Sequence, residues 1–323
     1  MGSFGKHGPE EQPVNEVYSA VGYTPRNTRD QLGKQISGRV RTYKNRILLF
    51  GEALAKKNIY PYLDVFYRDP RASLNARIAV VQGKAEDILH LGKVGNTLIG
   101  QHLDELIESA ENLTMVPREN VQLICPVMLD PGQDFALPYL KLSPDKNGVA
   151  IVGTAMFHGS RMTGSLNVDE SRLFLLMMNG IGQEARMTKM IHPGERSPGG
   201  YITIDVLRRT KRDMKVKINP DGEVDVWVDV SLQAEVEEYP RDQLNEPNML
   251  DKLGKQLSAI LTDDARKLIA KMQRARFDGF GVGRELIAFH PEVWKKKNWD
   301  RDYPKVRFHP QVEVELVRSG IIN

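Results

Sequence analysis

The chain has 323 residues, 41% hydrophobic and 27% charged, and 45 basic against 42 acidic side chains give a formal net charge of +3. That length suits two or three domains and removes roughly three quarters of the unfolded surface from water, and the composition excludes a disordered or membrane-embedded protein. The near-balance of charge argues against a dedicated nucleic-acid binder, which concentrates basic charge.

The N-terminal stretch MGSFGKHGPEEQP (1–13) is polar and Gly/Pro-rich, lacks the apolar run of a secretory signal, and reads as a disordered tail. An N-terminal α/β domain is expected over 14–90. It opens with a short strand in VNEVYSAVGYTP, then a helix over 25–37 with Pro25 at an early position. RILLFG (46–51) is a buried strand, and Pro61 splits the following helical stretch into two pieces or starts the second. ARIAVVQG (76–83) is another strand, and KAEDILHL is a helical turn or two.

A small middle domain is expected over 91–148. Leu98, Ile99, His102, Leu103, Leu106 and Ile107 share one face of a helix over 96–112. Pro117, Pro126, Pro131, Pro138 and Pro144 then punctuate what reads as short extended pieces. Cys125, the one cysteine, lies there in the apolar run VQLICPV and reads as a small core hydrophobe.

The C-terminal domain, 149–323, is patterned more cleanly. A hairpin turns at His158-Gly159-Ser160, and a helix follows with Asn167 or Asp169 at its cap and Gly180 at its end. YITIDVLR alternates as a strand. A second hairpin turns at Pro220-Asp221-Gly222 and places Val224, Val226, Val228, Val230, Leu232, Ala234 and Val236 on one face. A long amphipathic helix over 247–276 is expected to cover that face, and KVRFHPQVEVELVR is the last strand. The fold class is therefore α+β and multi-domain. It has mixed or antiparallel sheets with helices packed on one face, and the C-terminal antiparallel sheet lies under a long helix.

Chemistry is less visible. GFGVG (279–283) follows a helix rather than a strand, so it reads as a helix break rather than a dinucleotide loop. The seven histidines show no metal-ligand spacing, and carboxylate pairs such as Asp263-Asp264 and Glu237-Glu238 fall on solvent faces. HPEVWKKKNWDRDYP (290–304) can be read as a stacking platform for nucleic acid. The favoured alternative is structural closure, with Leu286, Phe289, Val293 and Trp294 packed inward and the lysines at 295–297 in water. In that reading Trp299, Asp300 and Tyr303 fix the turn into the last strand.

Three stretches resemble the Ger(x)C family of spore germination proteins. Residues 46–89 run from a hydrophobic strand into Gly51-Glu52, then through Arg68-Asp69-Pro70 to a strand and the GKA-DIL segment. GTAMFHGSRMTGSLNVDES, beginning at Gly153, resembles the start of that family's C-terminal domain. Residues 278–323 resemble its end, with Gly281, His290-Pro291, Trp294 and Trp299-Asp300.

The resemblance implies a non-enzymatic, lipoprotein-type C subunit of a spore germinant receptor, needed for nutrient-triggered germination in a spore-forming Gram-positive bacterium. It implies contacts with integral-membrane A and B subunits and with the membrane through a lipid anchor, at the outer face of the inner spore membrane. It implies no cofactor, metal, catalytic residue or nucleic acid, and a structural role for the motif residues. Family members begin with a signal peptide, a lipobox cysteine and further strands. These are not seen here, and Cys125 is in the wrong context for a lipid site. The alternative is an enzyme or binding protein for a small molecule or cell-wall fragment, which requires a concave pocket with convergent polar groups.

Overall fold

A computed structural model describes residues 2–6, 14–37, 42–195, 198–208, 210–241, 244, 246 and 248–318. The chain divides into two compact units, residues 1–110 with 118–166 and residues 111–117 with 167–323. Apart from 111–117, the segment 91–148 belongs to the first unit.

In the first unit, β1 (Gly2–Lys6) pairs antiparallel with β2 (Val14–Tyr18). Part of the expected disordered tail is therefore a strand, because its backbone groups find partners in β2. Residues 7–13 lie outside the described residues. α1 (Pro25–Gly33) starts after Thr24, whose hydroxyl accepts from the Asn27 amide at 3.1 Å. It stops four residues before the expected end. β3 (Ile47–Gly51) leads through α2 (Glu52–Ala55) and α3 (Tyr60–Arg68) to β4 (Arg77–Gln82). Then come α4 (Ala85–Leu89), the two-residue strands β5 (Lys93–Val94) and β6 (Thr97–Leu98), α5 (Ile99–Asn112) and α6 (Val121–Met128). β7 (Ala136–Leu142), β8 (Val149–His158) and β9 (Arg161–Asn167) complete the sheet.

The strand order is β3-β4-β7-β8-β9, with β3, β4 and β7 parallel and β8 antiparallel to β7. Parallel neighbours require crossovers, and the helices supply them. Ile78 and Val80 pack with Ile59, Leu63, Val121 and Ile124 on one face, whereas Ala79 and Val81 pack with Ile88, Ile99, Leu103 and Ile107 on the other. Helices thus cover both faces here, because the unbroken apolar run 78–81 must be buried on each side. The extended pieces expected after Pro117 include α6 instead. The Asn120 side chain caps it by accepting from Leu123, and it holds Pro126 internally. Burial of Val121, Ile124 and Met128 outweighs the one helical hydrogen bond that proline removes.

The second unit begins with α7 (Val168–Met177), whose cap Asn167 exchanges hydrogen bonds with Glu170 in a capping box. β10 (Arg186–Met190), which the sequence reading passed over, pairs with β11 (Tyr201–Val206). β12 (Lys211–Ile218) and β13 (Val224–Glu238) form the expected hairpin. α8 (Met249–Arg274), α9 (Val282–Phe289), α10 (Pro291–Trp294) and α11 (Trp299–Asp302) lead to β14 (Arg307–Arg318). The residues after 318 lie outside the described part.

The pairings are antiparallel except that β14 runs parallel to β13, the geometry that the long helical crossover imposes. The seven apolar residues that alternation places on one face of β13 are all buried, as are Leu253, Leu257, Leu261, Leu268 and Met272 of α8. α8 also closes the edge of the sheet. The amides of Val312 and Val314 donate to the hydroxyls of Thr262 (3.0 Å) and Ser258 (2.8 Å). A Cβ on Gly254, one turn earlier, would sit 2.8 Å from the Val314 carbonyl oxygen. Gly254, Ser258 and Thr262 therefore form a stripe at four-residue spacing that seats the backbone of β14 and occupies amides otherwise open to strand addition.

Candidate functional site

The motif residues fall into three groups, one set by each local fold. In the first unit Glu52 and Gly153 meet at Tyr139, and Gly51 precedes Glu52 at the end of β3. Gly51 ends β3 where a Cβ would lie 3.2 Å from the Gly83 carbonyl, and the Glu52 amide donates to that same oxygen at 3.1 Å. The Glu52 carboxyl, kept below its ordinary range chiefly by Lys56, also bonds the Tyr139 hydroxyl. Burial, together with that carboxylate, pushes the Tyr139 phenol up to about 12. Gly153, at φ 136°, lies opposite Tyr139 beside the register shift between Tyr139 and Leu140. These three residues shape the junction of two strands and a helix.

Arg68 and Asp69 are adjacent in sequence and do different work. Arg68 is exposed and pairs with Asp64 one turn back at 2.9 Å. Asp69 is buried at the end of α3 and gathers cations. It accepts from the Arg71 amide at 3.1 Å and from the Arg26 guanidinium at 3.2 Å, with Arg29 and Arg71 side chains within 4.0 Å. The amide bond to Arg71 first, and the surrounding guanidiniums after it, hold the Asp69 carboxyl below its usual range.

Gly281, His290, Pro291, Trp294, Trp299 and Asp300 belong to the third group, which is built around a residue the sequence reading missed. Asp278, 2% exposed, accepts from the amides of Val282 (3.0 Å) and Gly283 (2.8 Å) at the start of α9, and from the Trp299 indole N–H (3.0 Å). Gly281 adopts the left-handed conformation (φ 74°) that lets the chain turn back onto this carboxylate. The signal for it was an acid three residues before that glycine, ahead of an apolar helix. Trp299 is 9% exposed and packs on Trp294 and Tyr303, with ring centroids 5.6 Å apart in each case. His290 interrupts the helix and Pro291 starts α10, while Asp300 is exposed on α11.

The indoles therefore close the fold rather than form a platform, with two corrections. Phe289, expected inward, is 71% exposed: it shares the stripe of Val282 and Leu286 but is the last residue of α9, beyond the part of that stripe that is buried. Lys297, expected in water, donates to the Gly222 carbonyl at 2.6 Å and ties this segment to the β12–β13 turn.

The residues with the most concentrated electrostatics lie on the sheet face opposite α8. Asp225 of β13 accepts from Arg307 at 2.8 and 3.2 Å, from Asn219 at 2.5 Å, and bonds His309 Nε2 at 2.7 Å. These bonds, led by Arg307, hold its carboxyl far below the ordinary range. Two register positions on, Trp227 stacks on His309 at 4.7 Å with Lys217 Nζ 4.9 Å from its ring. The strand alternation placed these side chains on the polar face, but their convergence depended on β14 joining β13 in parallel register. Among the described residues no group of three or more His, Cys, Asp or Glu is placed to hold a metal ion. The chemistry available on this face is recognition by a stacked indole with a lysine ammonium over it and a bidentate ion pair.

Residues 2–142 match the family described as "Spore germination protein N-terminal domain", and residues 152–320 match "Spore germination B3/ GerAC like, C-terminal". The chain is 25% identical over 308 residues to spore germination protein GerQC of Bacillus cereus, an alignment covering 95% of this chain and 83% of the relative. It is 20% identical over 315 residues to putative spore germination protein YfkR of Bacillus subtilis (strain 168), covering 95% and 79%. Its fold is like that in the crystal structure of the GerBC protein, with a TM-score of 0.64, 18% identity, and coverage of 95% and 86%.

Proposed function

This chain belongs to the GerAC-like family of spore germination proteins, and from that premise we propose that it is the C subunit of a spore germinant receptor. In this reading it does no chemistry of its own. It acts in nutrient-triggered germination by touching the integral-membrane A and B subunits at the outer face of the inner spore membrane.

The observation that carries the reading is the match to both family domains, in order, over nearly the whole chain. The open face of the C-terminal sheet supports contact as the mode of action, since Trp and Arg anchors on a flat polar surface are what protein interfaces use.

The test is co-purification of the tagged chain with the A and B subunits from spore membranes. Both subunits are expected to follow it, and Trp227→Ala combined with Lys217→Glu should lower their recovery at least about tenfold, as hot-spot losses do. The variant's melting temperature serves as the control for folding. A chain that brings down neither subunit overturns the receptor reading. Full recovery with the double variant moves the contact to another face.

A further inference from the structure

The loop between β2 and α1 displays two apolar side chains beside an excess of positive charge. Val21 is 94% exposed and Tyr23 is fully exposed. Their exposure is built in. A Cβ on Gly22, between them, would lie 2.7 Å from the Thr28 amide and the Asn27 side-chain oxygen, so the loop is pressed onto the first turn of α1 with its flanking side chains outward. The Tyr23 amide donates to that Asn27 oxygen at 3.2 Å, and the Asn27 amide donates to Thr24 Oγ1 at 3.1 Å.

The helix against which this loop rests, α1, reaches the Asp69 cluster, where Arg26, Arg29 and Arg71 share one carboxylate. Across α1 with its C-cap Lys34 and the 64–71 segment, Arg26, Arg29, Lys34, Arg68 and Arg71 face Asp30, Asp64 and Asp69. Asp64 is engaged by Arg68. The Arg26 and Arg71 side chains are 54% and 83% exposed, and so remain able to reach an anion outside the protein.

We propose that Val21 and Tyr23, with the Arg26, Arg29 and Arg71 guanidiniums of the Asp69 cluster, form a docking tip for an anionic lipid surface. Tyrosine suits the headgroup region because its ring is apolar and its hydroxyl polar. Guanidiniums pair with phosphodiesters bidentately. Apolar burial and attraction to anionic lipid reinforce each other at such a site. The tip belongs to the first unit and the open sheet face to the second, and the proposal does not depend on the receptor reading.

Co-sedimentation of the full chain with vesicles tests it without any partner subunit. Binding is expected to vesicles containing phosphatidylglycerol at low salt, and weak binding to phosphatidylcholine alone. Arg26→Gln and Arg71→Gln should each lower partitioning about fivefold, and Val21→Ser with Tyr23→Ser roughly tenfold. All four positions are surface ones, and an unchanged melting temperature verifies that the variants fold. Failure to bind phosphatidylglycerol vesicles overturns the proposal. So does binding that persists in the serine variant, or that inorganic phosphate competes away completely, since either outcome marks a simple ionic site.

Discussion

Asp278→Ala is the perturbation that most directly tests how the C-terminal segment is held. The carboxylate is buried and receives three N–H donors, two from the start of α9 and one from Trp299. Hydrogen bonds to a charged group contribute about 1.5–3 kcal/mol each, offset by several kcal/mol for taking the charge out of water. Removing the acceptor leaves all three donors buried and unpaired, so the loss is about 3–5 kcal/mol, the range for breaking one side of a buried charged contact. For a unit of about 160 residues, each kcal/mol shifts the melting temperature by about 2–4 °C, so the alanine variant should melt roughly 6–20 °C lower. Asp278→Asn keeps the shape and one acceptor oxygen and should lose about half as much. Differential scanning calorimetry of the full chain, with Trp fluorescence reporting the indole, reads the effect. The exposed Lys296→Ala is the neutral comparison. If Asp278→Ala melts within about 2 °C of the parent, the assignment of this carboxylate as the anchor of α9 and Trp299 is wrong.

Three further outcomes follow from the same geometry. Gly254→Ala gains about 1 kcal/mol of helix propensity, yet its methyl would press on the Val314 carbonyl at 2.8 Å. Overpacking against backbone costs about 1–3 kcal/mol, so melting should fall, and a raised melting temperature would contradict the close seating. Ser258→Ala with Thr262→Val should speed hydrogen exchange at Val314 and Val312 and promote self-association through the freed edge. Unchanged protection there would show that those hydroxyls do not guard the edge. Asp225→Asn should destabilise the second unit at neutral pH. The folded carboxyl titrates below its unfolded value, so its contribution is present above about pH 4 and is lost as the pH falls through the folded pKa. The gap between variant and parent should therefore narrow below pH 4, and a gap constant down to acid unfolding would remove Asp225 as the source.

What the sequence made legible follows from which forces are local. The valines of β13 and the leucines of α8 announce themselves through period alone, and both elements formed where the alternation and the three-to-four spacing placed them. Capping was readable to within two residues: the sequence offered Asn167 or Asp169, and the reciprocal bond with Glu170 selects Asn167. Non-local choices were hidden. Nothing in the spelling of KVRFHPQVEVELVR says that it lies parallel to β13, yet that register brings Arg307 and His309 to Asp225 and stacks Trp227. The same holds for Asp278, an isolated acid until a left-handed glycine and a tryptophan twenty-one residues away fold onto it. Gly254, Ser258 and Thr262 each sit one residue after a buried leucine of α8. They are the places where a helix accepts a strand's backbone, and a pattern search that scores only hydrophobicity passes over them because their partner is main chain. The motif residues of the C-terminal segment are legible as a group because most of them solve one local problem, a helix broken and restarted around a buried carboxylate. The residues best suited to meet a partner are dispersed over three strands and joined only by the fold.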